Sequence, residues 1–272
     1  MDVSPATIRH FEDLFHARTG QRLAAGRRWR IETALRPILK NRAIDSLDRL
    51  AGAVASGRDG SLADAVVDAL LNNETSFFRD GTPFRMLDER LLPQLAEARA
   101  RGRRLRIWCA GCSTGQEAYS IAMLFAAAPA RWEGWTIDIL GTDLSGGAIA
   151  QARAGRYSGF EIQRGLPVRD MLRWFEPDDE TWRARPDIRA RVRFSLHNLL
   201  DAPPAGLRAD LVLCRNVMLY LAPDRRGRLF RNLAHATAPD GALLLGAGET
   251  ALGHADLFVP DPALRSLYRR AK

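Results

Sequence analysis

Over about the first 75 residues, apolar positions recur at helical spacing; after that they gather into short runs that alternate with helical stretches. In 61–71, SLADAVVDALL, Leu62, Val66 and Leu70 share one face and Ser61 stands where a cap is expected. In 26–42, Ile31, Leu35, Ile38 and Leu39 fall on one side, while Arg36 and Lys40 lie elsewhere at i, i+4. Pro37 removes a helical N–H inside that stretch and predicts a kink or a split. Gly57 and Gly60 bracket a turn, and a further helix is expected over 83–100 with Pro93 as a bend. From Leu105 onward, 105–110, 135–143, 190–198, 209–214 and 242–247 read as strands, with a last short one including 264–268. Helices are expected near 115–127, 146–154 and 223–236. Such alternation predicts an α/β fold, a mostly parallel sheet with helices on both faces. The segment 157–189 breaks the rhythm with Pro167, Pro177 and Pro186 beside Trp174, Phe175 and Trp182. It reads either as an inserted excursion of small strands packed by those aromatics or as a long loop that they anchor.

The most telling stretch is LRIWCAGCSTGQEAY (105–119), where an apolar strand feeds a Gly-punctuated loop that opens a helix. This layout offers free backbone N–H groups to a nucleotide-like ligand. The spacing Gly111-xxx-Gly115 is neither that of a dinucleotide site nor that of a P-loop. It suits the loop by which S-adenosylmethionine enzymes approach the methionine end of that cofactor. Asp143 ends the second strand, where it can accept from both ribose hydroxyls or cap the next helix. Glu117 lies in the first turn after the loop and can face a cationic group. Asn198 and Leu199 end the third strand, and Arg215 and Asn216 follow the fourth, with Tyr220 four residues beyond Asn216. These polar strand ends converge on one sheet edge. NNETSFFRD (72–80) is a polar–aromatic junction in which Asn73 and Thr75 can end one helix and begin another while Phe77 and Phe78 pack inward.

Composition changes this picture in two places. Residues 18–42 hold eight basic residues (Arg18, Arg22, Arg27, Arg28, Arg30, Arg36, Lys40 and Arg42) against Glu32 alone, most of the net charge of +8. So concentrated a patch fits an acidic partner, though a solvated helix face gives the same pattern. Aromatics interleave with it only at Trp29, and no nucleic-acid-binding motif is visible, so no nucleic acid partner is expected. The three cysteines are too few for a disulfide scaffold, and Cys109-x-x-Cys112 fits a cofactor loop better than a redox or zinc site. No metal site is expected. No run of 18 apolar residues and no leader-like N-terminus is seen, which predicts a cytoplasmic location without membrane insertion.

Taken in order, NETSFFRD (73–80), GCSTGQEAYSIAM (111–123), GTDLS (141–145), HNLL (197–200), CRNVMLYL (214–221) and LLLGAGET (243–250) resemble the CheR family of chemotaxis receptor methyltransferases, collinearly across nearly the whole chain. The resemblance implies a helical, basic N-terminal domain over 1–80. It also implies a Rossmann-like methyltransferase domain over 81–272, with a small inserted β-subdomain at about 157–195. S-adenosylmethionine would be the methyl donor, S-adenosylhomocysteine the product, and receptor glutamates the acceptors. Cofactor contacts would come from Asn73, Thr75, Arg79, Gly111, Glu117, Asp143, Asn198, Leu199, Arg215 and Asn216. Arg79 and Tyr220 would lie nearest the methyl group and the acceptor carboxylate. The basic domain, with Arg28, Arg36 and Lys40 as candidates, would meet the receptor's cytoplasmic domain, and a monomer is expected. The family's usual G-E-E-P-Y reads Gly115-Gln116-Glu117-Ala118-Tyr119 here, which keeps the glutamate. Some members grip a C-terminal receptor pentapeptide with a glycine-containing loop, and RWFEPDDETWRARPD lacks the glycine pair, so docking without that tether is expected. A methyltransferase or cofactor sensor directed at another acceptor is the alternative.

Overall fold

The computed structural model describes residues 3–23 and 28–271. It divides the chain into two compact units, one comprising the residues up to Asn72 together with Leu219–Arg226, the other Asn73–Met218 with Gly227 onward.

Among its described residues the first unit carries helices α1 (Pro5–Thr19), α2 (Arg28–Asn41), α3 (Leu47–Ala55) and α4 (Gly60–Leu70). Their N-termini are capped by Ser4, Ser46 and Asp59 on α1, α3 and α4. For α4 the cap is therefore Asp59, which accepts from the backbone N–H of both Ser61 and Leu62, and not Ser61. Phe11, Phe15, Leu35, Leu50 and Val66 form the centre of this unit's core. The α2 helix runs unbroken through Pro37, which sits on its exposed side, while Ile31 and Leu35 are buried and Ile38 and Leu39 partly so. The predicted split does not occur, because packing of that apolar face outweighs one lost helical hydrogen bond. Arg36 and Lys40 are exposed on the same helix. The side chains of Arg28 and Trp29, and all of Arg27, lie outside the described residues. Residues 219–226 join this unit through a bridge between Gln21 and Leu221, flanked by Arg22 N–H to the Tyr220 carbonyl and Ala222 N–H to the Gly20 carbonyl, each 3.0 Å.

The second unit opens with a helical rod made of α5 (Thr82–Met86), a single π turn (Leu87–Leu91) and α6 (Leu92–Ala98). The bend expected at Pro93 takes the form of this wider turn, in which the Leu92 N–H reaches back to Leu87. Pro93 has no N–H for the Glu89 carbonyl, and the register widens by one residue just upstream.

The strands are β1 (Arg104–Ala110), β2 (Thr136–Asp143), β3 (Arg156–Ser158), β4 (Phe175–Asp178), β5 (Thr181–Ala184), β6 (Val192–Leu196), β7 (Ala209–Cys214), β8 (Thr237–Leu245), β9 (Phe258–Pro260) and β10 (Leu267–Arg270). Seven of them form one sheet in the order β6-β2-β1-β7-β8-β10-β9, parallel except where β10 runs against β8 and β9. Its longer helices are α7 (Gln116–Ala127), α8 (Gly146–Ala154) and the part of Pro223–Ala236 beyond Arg226. The excursion holds a second, antiparallel sheet in the order β3-β5-β4. Its Tyr157 and Phe175 are buried and stand edge-on to Phe77, at ring distances of 5.1 and 5.2 Å. Two strand ends depart from the pattern reading. β8 starts earlier, with a register shift against β7 between Ala209 and Leu211, and the last strand is Leu267–Arg270, paired to a three-residue β9 too short to leave a periodic signal. No described helix is long and apolar enough to cross a membrane.

Candidate active site

The carboxyl ends of β1, β2 and β7 are stitched together by main-chain hydrogen bonds and a few carboxylates. After β1 the chain turns through Gly111 (φ 82°), Ser113 (φ 51°) and Gly115 (φ 95°) before entering α7. A side chain at 111 would place its Cβ 2.6 Å from Val217 Cγ2, and one at 115 would stand 2.9 Å from Ala152 Cβ, so both glycines are required by space as well as by φ. No side chain caps α7, which leaves the N–H groups of its first turn open at the loop. The N–H groups of Gly111 and Cys112 donate to the Thr142 carbonyl at 2.8 and 2.9 Å. Asp143 then spans the gap, one carboxylate oxygen accepting from Ser113 N–H (2.8 Å) and the other from Ser145 N–H (2.9 Å). Asn73 closes this corner: its carbonyl accepts from Ser113 Oγ at 2.7 Å, and its Nδ2 donates to Ser145 Oγ at 3.2 Å.

A buried ion cluster lies next to the loop. The Arg215 guanidinium, its side chain 1% exposed, donates to Glu117 Oε2 at 3.0 Å, to Asp80 Oδ2 at 2.8 Å and to the Arg79 carbonyl at 3.0 Å, and packs over the Phe84 ring. Burial pushes the Glu117 carboxyl up from its ordinary value, and the Arg215 and Arg79 charges oppose that shift. Glu117 Oε1 has no hydrogen-bond partner among the described residues. The Arg79 guanidinium donates to the Glu74 carbonyl at 3.0 Å. Phe78 (φ 46°) and Asp80 (φ 70°) flank Arg79 in left-handed backbone, a strain that gathers at functional sites.

Asn216 (φ 59°) follows β7, and its buried Oδ1 lacks a partner. Its main chain is fixed by Glu249, whose carboxylate accepts from the N–H groups of Asn216 (2.7 Å), Met218 (2.8 Å) and Gly246 (2.8 Å). Sequence reasoning gave Glu249 no role, although it is the acid of the quoted LLLGAGET block. Beyond β6, Asn198 Oδ1 accepts from Leu200 N–H at 3.0 Å, and Asn232 Nδ2 donates to the Leu199 carbonyl at 2.9 Å. The neighbouring His197 donates its N–H to the Asp143 carbonyl at 2.8 Å, and its Nε2 is buried without a partner.

Direct contacts thus bring together Asn73, Arg79, Gly111, Glu117, Asp143, Arg215 and Asn216 around the ends of three strands. Thr75 lies in a stretch without regular structure rather than at a helix end. Tyr220 belongs to the first unit, where its hydroxyl accepts from Asn72 Nδ2 at 2.5 Å. Burial pushes the thiols of Cys109, Cys112 and Cys214 well up, which removes the thiolate that a redox site needs. Among the described residues no group of three His, Cys, Asp or Glu side chains is placed to hold a metal ion.

Residues 73–262 match the family described as CheR methyltransferase, SAM binding domain. Over 253 residues the chain is 34% identical to a chemotaxis protein methyltransferase of Pseudomonas aeruginosa, covering 92% of each chain. It is 33% identical over 259 residues to a protein of the same description from Vibrio anguillarum, covering 94% of this chain and 93% of that one.

Proposed function

The chain belongs to the CheR family of S-adenosylmethionine-dependent chemotaxis methyltransferases, and on that premise we propose that it methylates glutamate side chains in the cytoplasmic domain of methyl-accepting chemotaxis receptors, giving glutamate methyl esters. The observation that carries this reading is the set of acceptors around the glycine loop: Glu117 Oε1 and Asn216 Oδ1 without partners, and the Asp143 carboxylate at the strand edge. S-adenosylmethionine is a cation with ribose hydroxyls and amino groups, and such an acceptor-rich, glycine-turned edge suits it. Asp143 would take the ribose, Glu117 the α-amino group, and the open N–H groups of α7 the carboxylate. Asn73, Thr75, Asn198, Leu199 and Asn216 would complete its surroundings. When bound, the cofactor supplies an electrophilic methyl group on sulfonium.

A glutamate of ordinary pKa, about 4.3, is already ionised at neutral pH, so the acceptor needs no general base. What the chain must do is align and desolvate it, and good alignment supplies ~7–11 kcal/mol. Arg79 would orient the carboxylate, and the Tyr220 hydroxyl would hold one of its oxygens. Arg79→Ala is expected to lower both kcat and cofactor affinity. Tyr220→Phe is expected to lower kcat about 10-fold, the worth of one hydrogen bond to a charged group, with little change in KM for the cofactor. Steady-state kinetics with each variant checks this, and an unchanged kcat for Tyr220→Phe would remove that residue from the reaction.

The exposed Arg36 and Lys40 on α2, together with Arg28, would meet the acidic receptor surface, with the protein acting as a monomer. The turn between β4 and β5 is only Asp179-Glu180, and both residues are acidic. This supports docking without a pentapeptide tether, since a free peptide carboxylate would be repelled there. Titration with a receptor C-terminal peptide is accordingly expected to show no binding in the micromolar range.

A further inference from the structure

In the second unit, a groove of about 540 Å³ opens on the other half of the sheet, beyond β7. The sheet order changes direction between β1 and β7, so the ends of β1, β2 and β6 form one half of the ligand edge and the ends of β7 and β8 the other. The acceptors assigned to the cofactor lie mostly on the first half. The groove's floor is apolar, made by Pro83 and Met86 of the α5 rod, Leu245 at the end of β8 and Leu264 in the segment before β10. Its rim carries Arg85 and Arg265, both exposed and neither in an ion pair among the described residues. Of the two lining acids, Asp80 is paired with Arg215, which it shares with Glu117, while Glu89 is exposed. The same Asp80 joins the groove to the buried cluster, because the Arg215 guanidinium that it holds at 2.8 Å also holds Glu117 at 3.0 Å. Both walls contain unusual backbone: the π turn at Leu87–Leu91 and Asp80 on one side, and Ser266 (φ 61°) on the other.

We propose that this groove receives the part of the acceptor polypeptide that flanks the target glutamate. The occupant is an acidic segment that seats one apolar side chain on the Pro83–Met86–Leu245–Leu264 floor and pairs neighbouring carboxylates with Arg85 and Arg265. Two features select it. Among the described residues, the lining charges outside ion pairs are the three arginines Arg85, Arg90 and Arg265 against Glu89 alone, a net positive rim, and the groove is continuous with the cluster that orients the donor-binding edge. Bare electrostatic attraction would not need an apolar floor, and an apolar ligand alone would not need the two arginines. Glutamates with acidic neighbours would therefore be methylated in preference to isolated ones. The inference rests on the glutamate methyltransferase reading above and adds to it how the methylated position is chosen.

The test measures methyl transfer from S-adenosylmethionine to a receptor cytoplasmic domain, alongside calorimetric binding of S-adenosylhomocysteine, for the full-length wild type, R85E/R265E and M86W. Charge reversal removes the rim pairing, and the tryptophan fills the floor without touching charge. Both variants are expected to raise KM for the receptor at least about 10-fold while kcat and product affinity stay within about twofold. A receptor KM within about twofold of wild type in both variants, with product binding intact, would overturn the groove assignment and leave the methyltransferase reading standing. A wild type that binds S-adenosylhomocysteine but methylates no receptor domain would overturn both.

Discussion

Glu249→Ala is expected to unfold the second unit far more readily than any single change at the glycine loop. Three backbone N–H groups, those of Asn216, Met218 and Gly246, donate to this one carboxylate. Each buried donor left unsatisfied costs about 1–3 kcal/mol, so a loss of roughly 3 kcal/mol or more follows before any relaxation. Asn216 also sits at φ 59°, a strained conformation that only its surroundings maintain. Without Glu249 that residue is free to leave the left-handed region, and its amide no longer faces the ligand edge. Urea denaturation should show the stability loss, and S-adenosylhomocysteine binding should fall in the same variant. Glu249→Gln keeps one acceptor oxygen but turns an NH₂ group toward an N–H, so it should fall between the two. A Glu249→Ala protein within about 1 kcal/mol of wild type would mean that water replaces the carboxylate and that the loop is not held by it.

The second large effect is expected from Arg215→Met. It removes the guanidinium from a buried pair and leaves Glu117 enclosed without its counter-charge, a change that costs about 3–5 kcal/mol in comparable sites. The sign of its pH dependence follows from the carboxyl. Burial already pushes Glu117 up, and Arg215 is the first of the groups that oppose it. Without Arg215 the folded-state pKa climbs further above the unfolded one, so the folded state holds its proton where the unfolded state has released it. Stability is then retained below the unfolded pKa and lost as pH rises toward the folded value, by up to about 1.4 kcal/mol per pH unit. Denaturation of Arg215→Met at pH 5 and pH 8 should therefore show the larger deficit at pH 8. Adding Glu117→Gln should recover most of the stability and abolish that slope, yet leave cofactor affinity low because the carboxylate itself is gone. An equal deficit at both pH values would show that Glu117 is not the group left uncompensated.

Periodicity carried most of the fold. The runs 105–110 and 209–214 were legible as strands because they are buried on both faces and nearly uninterrupted by polar residues, and the 146–154 and 223–236 helices lie where the spacing puts them. Gly111, Gly115, Glu117 and Asp143 were legible for a local reason: each follows a strand or opens a helix, so neighbours in sequence fix their place on the edge. What depends on distant pairing was not legible. The role of Glu249 exists only because β8 lies beside β7, which brings residue 249 to the main chain at 216–218. That the segment carrying Tyr220 belongs to the first unit was not legible either: residues 20–22 pair with 220–222, a contact across about 200 residues that no local pattern announces. The π turn likewise needs coordinates, because Pro93 in sequence signals only some disturbance.

The measurement that tests the central claim most directly is transfer of labelled methyl from S-adenosylmethionine to a receptor cytoplasmic domain, followed by mild alkali and peptide mapping. Alkali-labile label on glutamate residues, dependent on Asp143 and Glu117, is the expected result. Stable label on another residue type, or cofactor binding with no label on any receptor tested, would contradict glutamate methylation and point to a different acceptor or to a sensor.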